Sequence, residues 1–177
     1  MRDLYIDNSK SLQNHGSSYA LLNPLFIMPQ SLARLCIHLV FSTKNRAPIL
    51  HDYIRSDLHA YMATTLKNLD CPALIINSVD DHAHVFLSLG RTIPVSQVVE
   101  NLKKSSSKWI KTQGEEFSDF SWQAGYGAFS VSESNVPAVR EYIESQAEHH
   151  RTVSFQDEYR AFLNKHGIRF DERYVWD

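Results

Sequence analysis

His82 and His84 stand two residues apart at the head of the run Val85-Phe86-Leu87-Ser88-Leu89. On a β-strand, residues i and i+2 point to the same face, so the two imidazoles project together and Ala83 turns away. Two imidazoles on one rigid face are half of a metal site. The plainer alternative is a pair of hydrogen-bonded polar residues at a strand edge. Further along, Tyr142-Ile143-Glu144-Ser145-Gln146 puts Tyr142 and Gln146 at i and i+4, on one face of a helix. A neutral amide oxygen is a hard, weak ligand. With two imidazoles and open water positions it suits Mg²⁺ or Mn²⁺ better than a closed zinc site. Without the histidines, Tyr142 reads as a packed aromatic and Gln146 as a solvated amide.

These residues need a scaffold, and the chain supplies its signals in order. Leu35 to Phe41 reads as a strand ending at Ser42-Thr43-Lys44-Asn45-Arg46, with Pro48 as a breaker. Ile54, Leu58, Tyr61, Met62, Thr65, Leu66 and Leu69 recur at helical spacing over Asp52 to Leu69. Ala73 to Ile76 is a second strand, and Asp80-Asp81 is turn chemistry leading into the histidine strand. A helix from about Pro94 to Gln113 stops at Gly114. Phe120 to Val131 is a loop entering a fourth strand. Asn135 reads as the N-cap of a third helix, with Pro137 in its first turn. A last helix spans about Phe155 to His166 and closes at Gly167. The order β-α-β-β-α-β-α is that of a ferredoxin-like or split-βαβ α/β fold. It predicts a four-stranded antiparallel sheet with helices on one face and extra C-terminal helices.

The 177 residues fit one domain, expected over residues 31–177, with the polar residues 1–30 as an extension outside it. Hydrophobic content of 43% with 21% charged residues is that of a soluble globular chain. A formal net charge of −2 announces no global basic field, though a local basic face remains open. Cys36 and Cys71 make neither a disulfide framework nor a metal knuckle, and read as core residues in a reducing cytoplasm. No apolar run reaches the ~18 residues of a membrane span, and the N-terminus has no signal-peptide pattern.

With these motifs in place, the chain resembles the one-tyrosine transposases of the His-hydrophobic-His nuclease superfamily, enzymes of small insertion sequences that move as single-stranded DNA. The resemblance rests on HLVFSTKNRAPIL, DDHAHVFLSL, WQAGYGAFSVS, YIESQAEHH and FLNKHGIRFDERYVW, and covers about residues 34 to 177. Ala83 departs from the bulky apolar residue usual between the histidines. The resemblance implies that His82, His84 and Gln146 hold one divalent ion, Mg²⁺ or Mn²⁺, and that Tyr142 is the nucleophile. Attack would leave a 5′-phosphotyrosine and a free 3′-hydroxyl, which can reverse the step on another end without ATP. A free phenol has a pKa near ~10, so the site must activate it. Tyr126 in Gly-Tyr-Gly is the rival nucleophile, without a partner at i+4. His149 is placed to approach the site and His150 is not, and both are equally readable as structural.

Lys104, Lys108 and Lys111 form a basic stripe on the second helix, a phosphate track or a solvated face. Lys44 and Arg46 are further phosphate candidates, and Trp122 and Tyr126 are base-stacking or core residues. By resemblance the partners are single-stranded DNA with a hairpin near the element ends and a second copy of the chain. The apolar first strand offers an edge through which two sheets could join, and each site could be built from both chains. A rolling-circle initiator or relaxase, a domesticated nucleic-acid-binding relative, and a small-molecule hydrolase using Asp80 or Asp81 as base are the competing readings.

Overall fold

The computed structural model describes residues 32–176, so the extension expected over residues 1–30 lies outside the described residues. Four strands, β1 (Cys36–Ser42), β2 (Ala73–Ser78), β3 (His82–Ser88) and β4 (Gly127–Val131), form one sheet in the order β2-β3-β1-β4. Every pairing is antiparallel. The helices are α1 (Asp52–Asn68), α2 (Val95–Ile110), α3 (Val136–Glu144), α4 (Gln146–His149) and α5 (Phe155–Lys165). Element order and antiparallel sheet are those the sequence predicts.

Strand alternation divides the molecule. Leu39, Phe41, Ala83, Val85 and Leu87 face one way and pack with Leu58, Met62 and Leu66 of α1 and Val98, Leu102 and Ile110 of α2. Fully burying a side chain of this size contributes about 1.5–3 kcal/mol, so this layer is the main hydrophobic core. Ala83 itself is fully buried here. The even-numbered residues of β1 and β3, with Phe129 of β4, face the other way. Cys36 and Phe86 pack with Ile143 of α3, and Val40 and Phe129 pack with Phe155, Tyr159 and Leu163 of α5. The sheet is therefore covered on both faces, not one: the C-terminal helices close the side left open by α1 and α2.

Three local expectations change. β1 bonds β3 on one side and β4 on the other, so it has no free edge and cannot join two sheets edge to edge. Its apolar character reflects burial on both faces in the middle of the sheet. The third helix is not continuous to Gln146: it ends at Glu144, Ser145 has φ −87° and ψ 9°, and α4 restarts at Gln146. Asn135 stands before α3 but makes no side-chain cap bond. Ser154 does cap α5, its hydroxyl accepting from the Asp157 N–H at 3.2 Å.

His59 of α1 touches Ser78 Oγ through Nε2 at 2.8 Å. Burial, helped by the Arg55 charge, lowers its pKa from 6.5 to about 4. The folded state thus favours neutral His59, whereas the unfolded chain takes up the proton near 6.5. This contribution to stability is complete above pH 6.5 and is lost as the pH falls toward 4. Urea midpoints measured across that window are expected to drop with pH, and His59→Gln is expected to make the drop shallower.

Candidate active site

His82 and His84 open β3 on the face covered by the C-terminal helices, and both are 0% exposed. Each ring is anchored through Nδ1. His82 Nδ1 lies 2.7 Å from Asp81 Oδ1, and His84 Nδ1 lies 2.9 Å from Nε2 of His38 on the neighbouring strand. Held this way, each ring turns Nε2 into the space beneath α4 and α5. Burial, reinforced by the charges of His84 and His150 and opposed by Asp81, lowers His82 to about 4. Burial and His84 lower His38 to about 3. Neutral imidazole is the form that ligates metal.

Glu158 of α5, 5% exposed, meets the histidines from the opposite side. Its Oε2 lies 3.3 Å from His150 Nε2, 3.5 Å from His84 Nε2 and 3.8 Å from His82 Nε2. Its Oε1 accepts from the Tyr142 hydroxyl and, at 3.0 Å, from Gln146 Nε2. Burial works against the carboxylate charge, but His150, His84 and Tyr142 outweigh it and hold the group well below the usual range. The same contact acts oppositely on the phenol: burial and the Glu158 charge push Tyr142 well above its ordinary value. His150 is half-buried, and its Glu158 contacts raise its pKa against the opposing effect of burial.

Tyr142, His82, His84 and Gln146 are therefore gathered within one chain, although the break at Ser145 means that Tyr142 and Gln146 do not share one helix. Gln146 is fully buried rather than solvated. His150 lies in the site, its Nε2 2.9 Å from His82 Nε2, contrary to the expectation that it points elsewhere. His149 also approaches, 3.6 Å from Glu158 Oε1. Glu158 and His38 were not anticipated. Their common signal is a polar residue inside an apolar stripe, among Phe155, Tyr159 and Leu163 on α5 and within Cys36-Ile37-His38-Leu39-Val40 on β1.

The residues fit a divalent cation. His84 Nε2, Gln146 Oε1 and Glu158 Oε2 are buried without a hydrogen-bond partner, and leaving such atoms unpaired costs about 1–3 kcal/mol each. Donor atoms of His82, His84, His150 and Glu158 all lie within 4.8 Å of one another. Neutral imidazoles and oxygens around one point are a cation's ligand set.

The basic candidates divide by location. Arg46 lines a cavity of about 350 Å³ with Asp81 and His150, at the mouth of the histidine pocket. Lys44 is exposed in the same turn. Lys104 and Lys108 are exposed on α2 and Lys111 at its C-cap, in the helix layer across the sheet from the histidines. Lys103 instead turns inward, its ammonium donating to the Gln123 and Gly125 carbonyls at 2.8 and 2.6 Å, and burial lowers its pKa to about 8. Tyr126, 38% exposed, stands beside Lys103 and not in the histidine pocket. Trp122 is buried, its indole N–H bonded to Ser106 Oγ at 2.9 Å, so it is a core residue and not an open stacking platform.

Residues 31–146 match the family model described as "Transposase IS200 like". The crystal structure of a candidate transposase from Deinococcus radiodurans R1 has a TM-score of 0.53 at 21% identity, covering 66% of this chain and 93% of that one. The structure of a REP-associated tyrosine transposase bound to a REP hairpin has a TM-score of 0.53 at 12% identity, covering 71% of this chain and 74% of that one. At these identities the two likenesses establish the fold. No curated protein matches the chain. Among the described residues, no helix is long and apolar enough to cross a membrane.

A cation that binds only the folded chain stabilises it, by about 2.7 kcal/mol at one hundred times its Kd. Millimolar Mn²⁺ is expected to raise the melting temperature of the parent, and His82→Ala or His84→Ala to abolish the rise. An equal rise in all three proteins would place the ion elsewhere.

Proposed function

This chain belongs to the family of IS200-like transposases, and we propose that it cuts and rejoins single-stranded DNA at insertion-sequence ends with Tyr142 as nucleophile. The observation that carries the reading is the meeting of the Tyr142 hydroxyl and the histidine pocket on one carboxylate, Glu158, inside one chain. The Tyr142 oxygen would attack phosphorus, forming the Oη–P bond as the P–O3′ bond breaks. The products are a 5′-phosphotyrosine and a 3′-hydroxyl, and the same 3′-hydroxyl chemistry run backwards on another end joins DNA. A Mg²⁺ or Mn²⁺ ion held by His82, His84 and Gln146 would supply Lewis-acid polarisation of the scissile phosphate.

The chain's own groups prepare this step. Asp81 and His38 orient the two imidazoles, and burial keeps His82 and His38 neutral. Burial and the Glu158 charge favour the protonated phenol, so activation of the nucleophile would fall to substrate and cation. Arg46, at the pocket mouth, is placed to hold a backbone phosphate, with Lys44 beside it. The lysines of α2, in the other layer, are suited to the flanking DNA and not to the scissile bond. The structural neighbour solved bound to a REP hairpin supports a DNA hairpin as the bound partner. Two ends must be held together for exchange, and a homodimer is the commonest way to bring two tyrosines to them.

The nucleophile is tested with a single strand labelled on either side of the cut. Tyr142→Phe is expected to abolish the covalent adduct while DNA binding stays within a few-fold, and Tyr126→Phe to leave the adduct intact. An adduct that survives the first change and disappears with the second would make Tyr126 the nucleophile. For the basic stripe, replacing Lys104, Lys108 and Lys111 with Ala should weaken all single strands alike and reduce the salt slope by up to ~0.7 per lost contact. An unchanged slope would move the DNA off α2.

A further inference from the structure

Glu158 lies beyond residue 146, where the match to the family ends, yet it occupies the centre of the pocket. Its helix is otherwise built for packing. Phe155, Tyr159 and Leu163 bury one face of α5 against Val40 and Phe129, and Glu158 is the acidic residue set into that face. Burying a carboxylate costs several kcal/mol unless cations and hydrogen bonds compensate it. Oε1 is compensated by Tyr142 and Gln146. Oε2 is buried without a hydrogen-bond partner, although three imidazole nitrogens stand 3.3, 3.5 and 3.8 Å away. The imidazoles compensate Oε2 only in part, and a cation at the point where Oε2 and the two anchored Nε2 atoms converge would complete it.

We propose that Glu158 is a protein ligand of the divalent ion, supplied by α5 from outside the family-matched region, and that its second oxygen holds the Tyr142 hydroxyl beside that ion. This rests on the metal-dependent transposase reading and completes its ligand set. An anionic carboxylate oxygen binds a hard divalent cation more strongly than the neutral amide of Gln146 can. Gln146 donates its amide N–H groups toward Glu158 and so orients the carboxylate. One side chain thereby couples ion binding to placement of the nucleophile, and makes the C-terminal helix a working part of the site.

The test is Mn²⁺ binding to the full chain without DNA, read by the loss of free-ion electron paramagnetic resonance signal. Glu158→Gln keeps the shape and the acceptor for Tyr142 but removes the charge. It is expected to weaken Mn²⁺ at least ~10-fold, the lower end of what lost metal-site partners cost, with circular dichroism unchanged. A folded Glu158→Gln chain that binds within two-fold of the parent overturns the proposal. If that variant does not fold, Glu158→Asp keeps the charge on a shorter arm, and weakened binding supports the proposal whereas parental affinity overturns it. His82→Ala and His84→Ala separate the two levels. If they lose Mn²⁺ while Glu158→Gln does not, only the role of Glu158 fails. If they too keep parental affinity, the metal reading itself fails.

Discussion

Glu158 is a charge held almost out of water, and a carboxylate in that position has to be surrounded by donors and cations. Tyr142, Gln146, His84, His82, His149 and His150 all approach its two oxygens. These contacts come from α3, from α4 and its C-cap, and from β3, so the demands of one carboxylate on α5 tie those elements together. The same demand sets the ionisation of the neighbours. It raises His150 and Tyr142, while burial keeps His82 neutral. Removing the carboxylate alone would leave its donors unpaired inside the protein, and removing its donors would leave a bare buried charge.

The sheet makes this arrangement compatible with a stable core. Because side chains alternate, β3 sends Ala83, Val85 and Leu87 into the packing beneath α1 and α2, and sends His82 and His84 to the other face. The register then does the anchoring. His38 stands opposite Phe86 on β1, diagonal to His84, close enough for its ring nitrogen to reach His84. Approach of α5 depends on Gly127 of β4, where an added Cβ would meet Tyr159 at 2.8 Å. Tyr159 follows Glu158 directly, so the absence of a side chain at 127 is part of what lets α5 seat close against β4.

Much of this was legible in the sequence, for physical reasons that also mark its limits. Ile54, Leu58, Met62 and Leu66 recur at the spacing of one helical face and are the buried residues of α1. Alternation on β3 separates the histidines from Ala83 on sequence grounds alone. The central place of β1 was not legible, because an apolar strand reads alike whether its edges are free or paired. The break at Ser145 was missed because no Gly or Pro marks it. Glu158 and His38 were missed, and His150 was expected outside the site, because their roles come from contacts between residues distant in the chain, which periodicity does not encode. Their local setting held the one available clue: an acid within the apolar stripe of α5 needs a partner, and sequence alone does not say which.

The two faces of the sheet also bear on how DNA would lie on the protein. Ser42 pairs with His82, and the Thr43 N–H donates to the Asp81 carbonyl at 2.8 Å, so the turn carrying Lys44 and Arg46 is tied to the mouth of the histidine pocket. The same turn is tied to the other layer, since Thr43 bridges Trp122 and the Trp122 indole bonds Ser106 of α2. Lys44 and Arg46 therefore stand at the end of the sheet, in a turn linked both to the buried face of α2 and to the mouth of the histidine pocket. Under the proposed function, this turn offers two cations to a strand entering the histidine pocket. These cations act locally, since a net charge of −2 gives the chain no global attraction for DNA and Asp80 and Asp81 line the same cavity as Arg46.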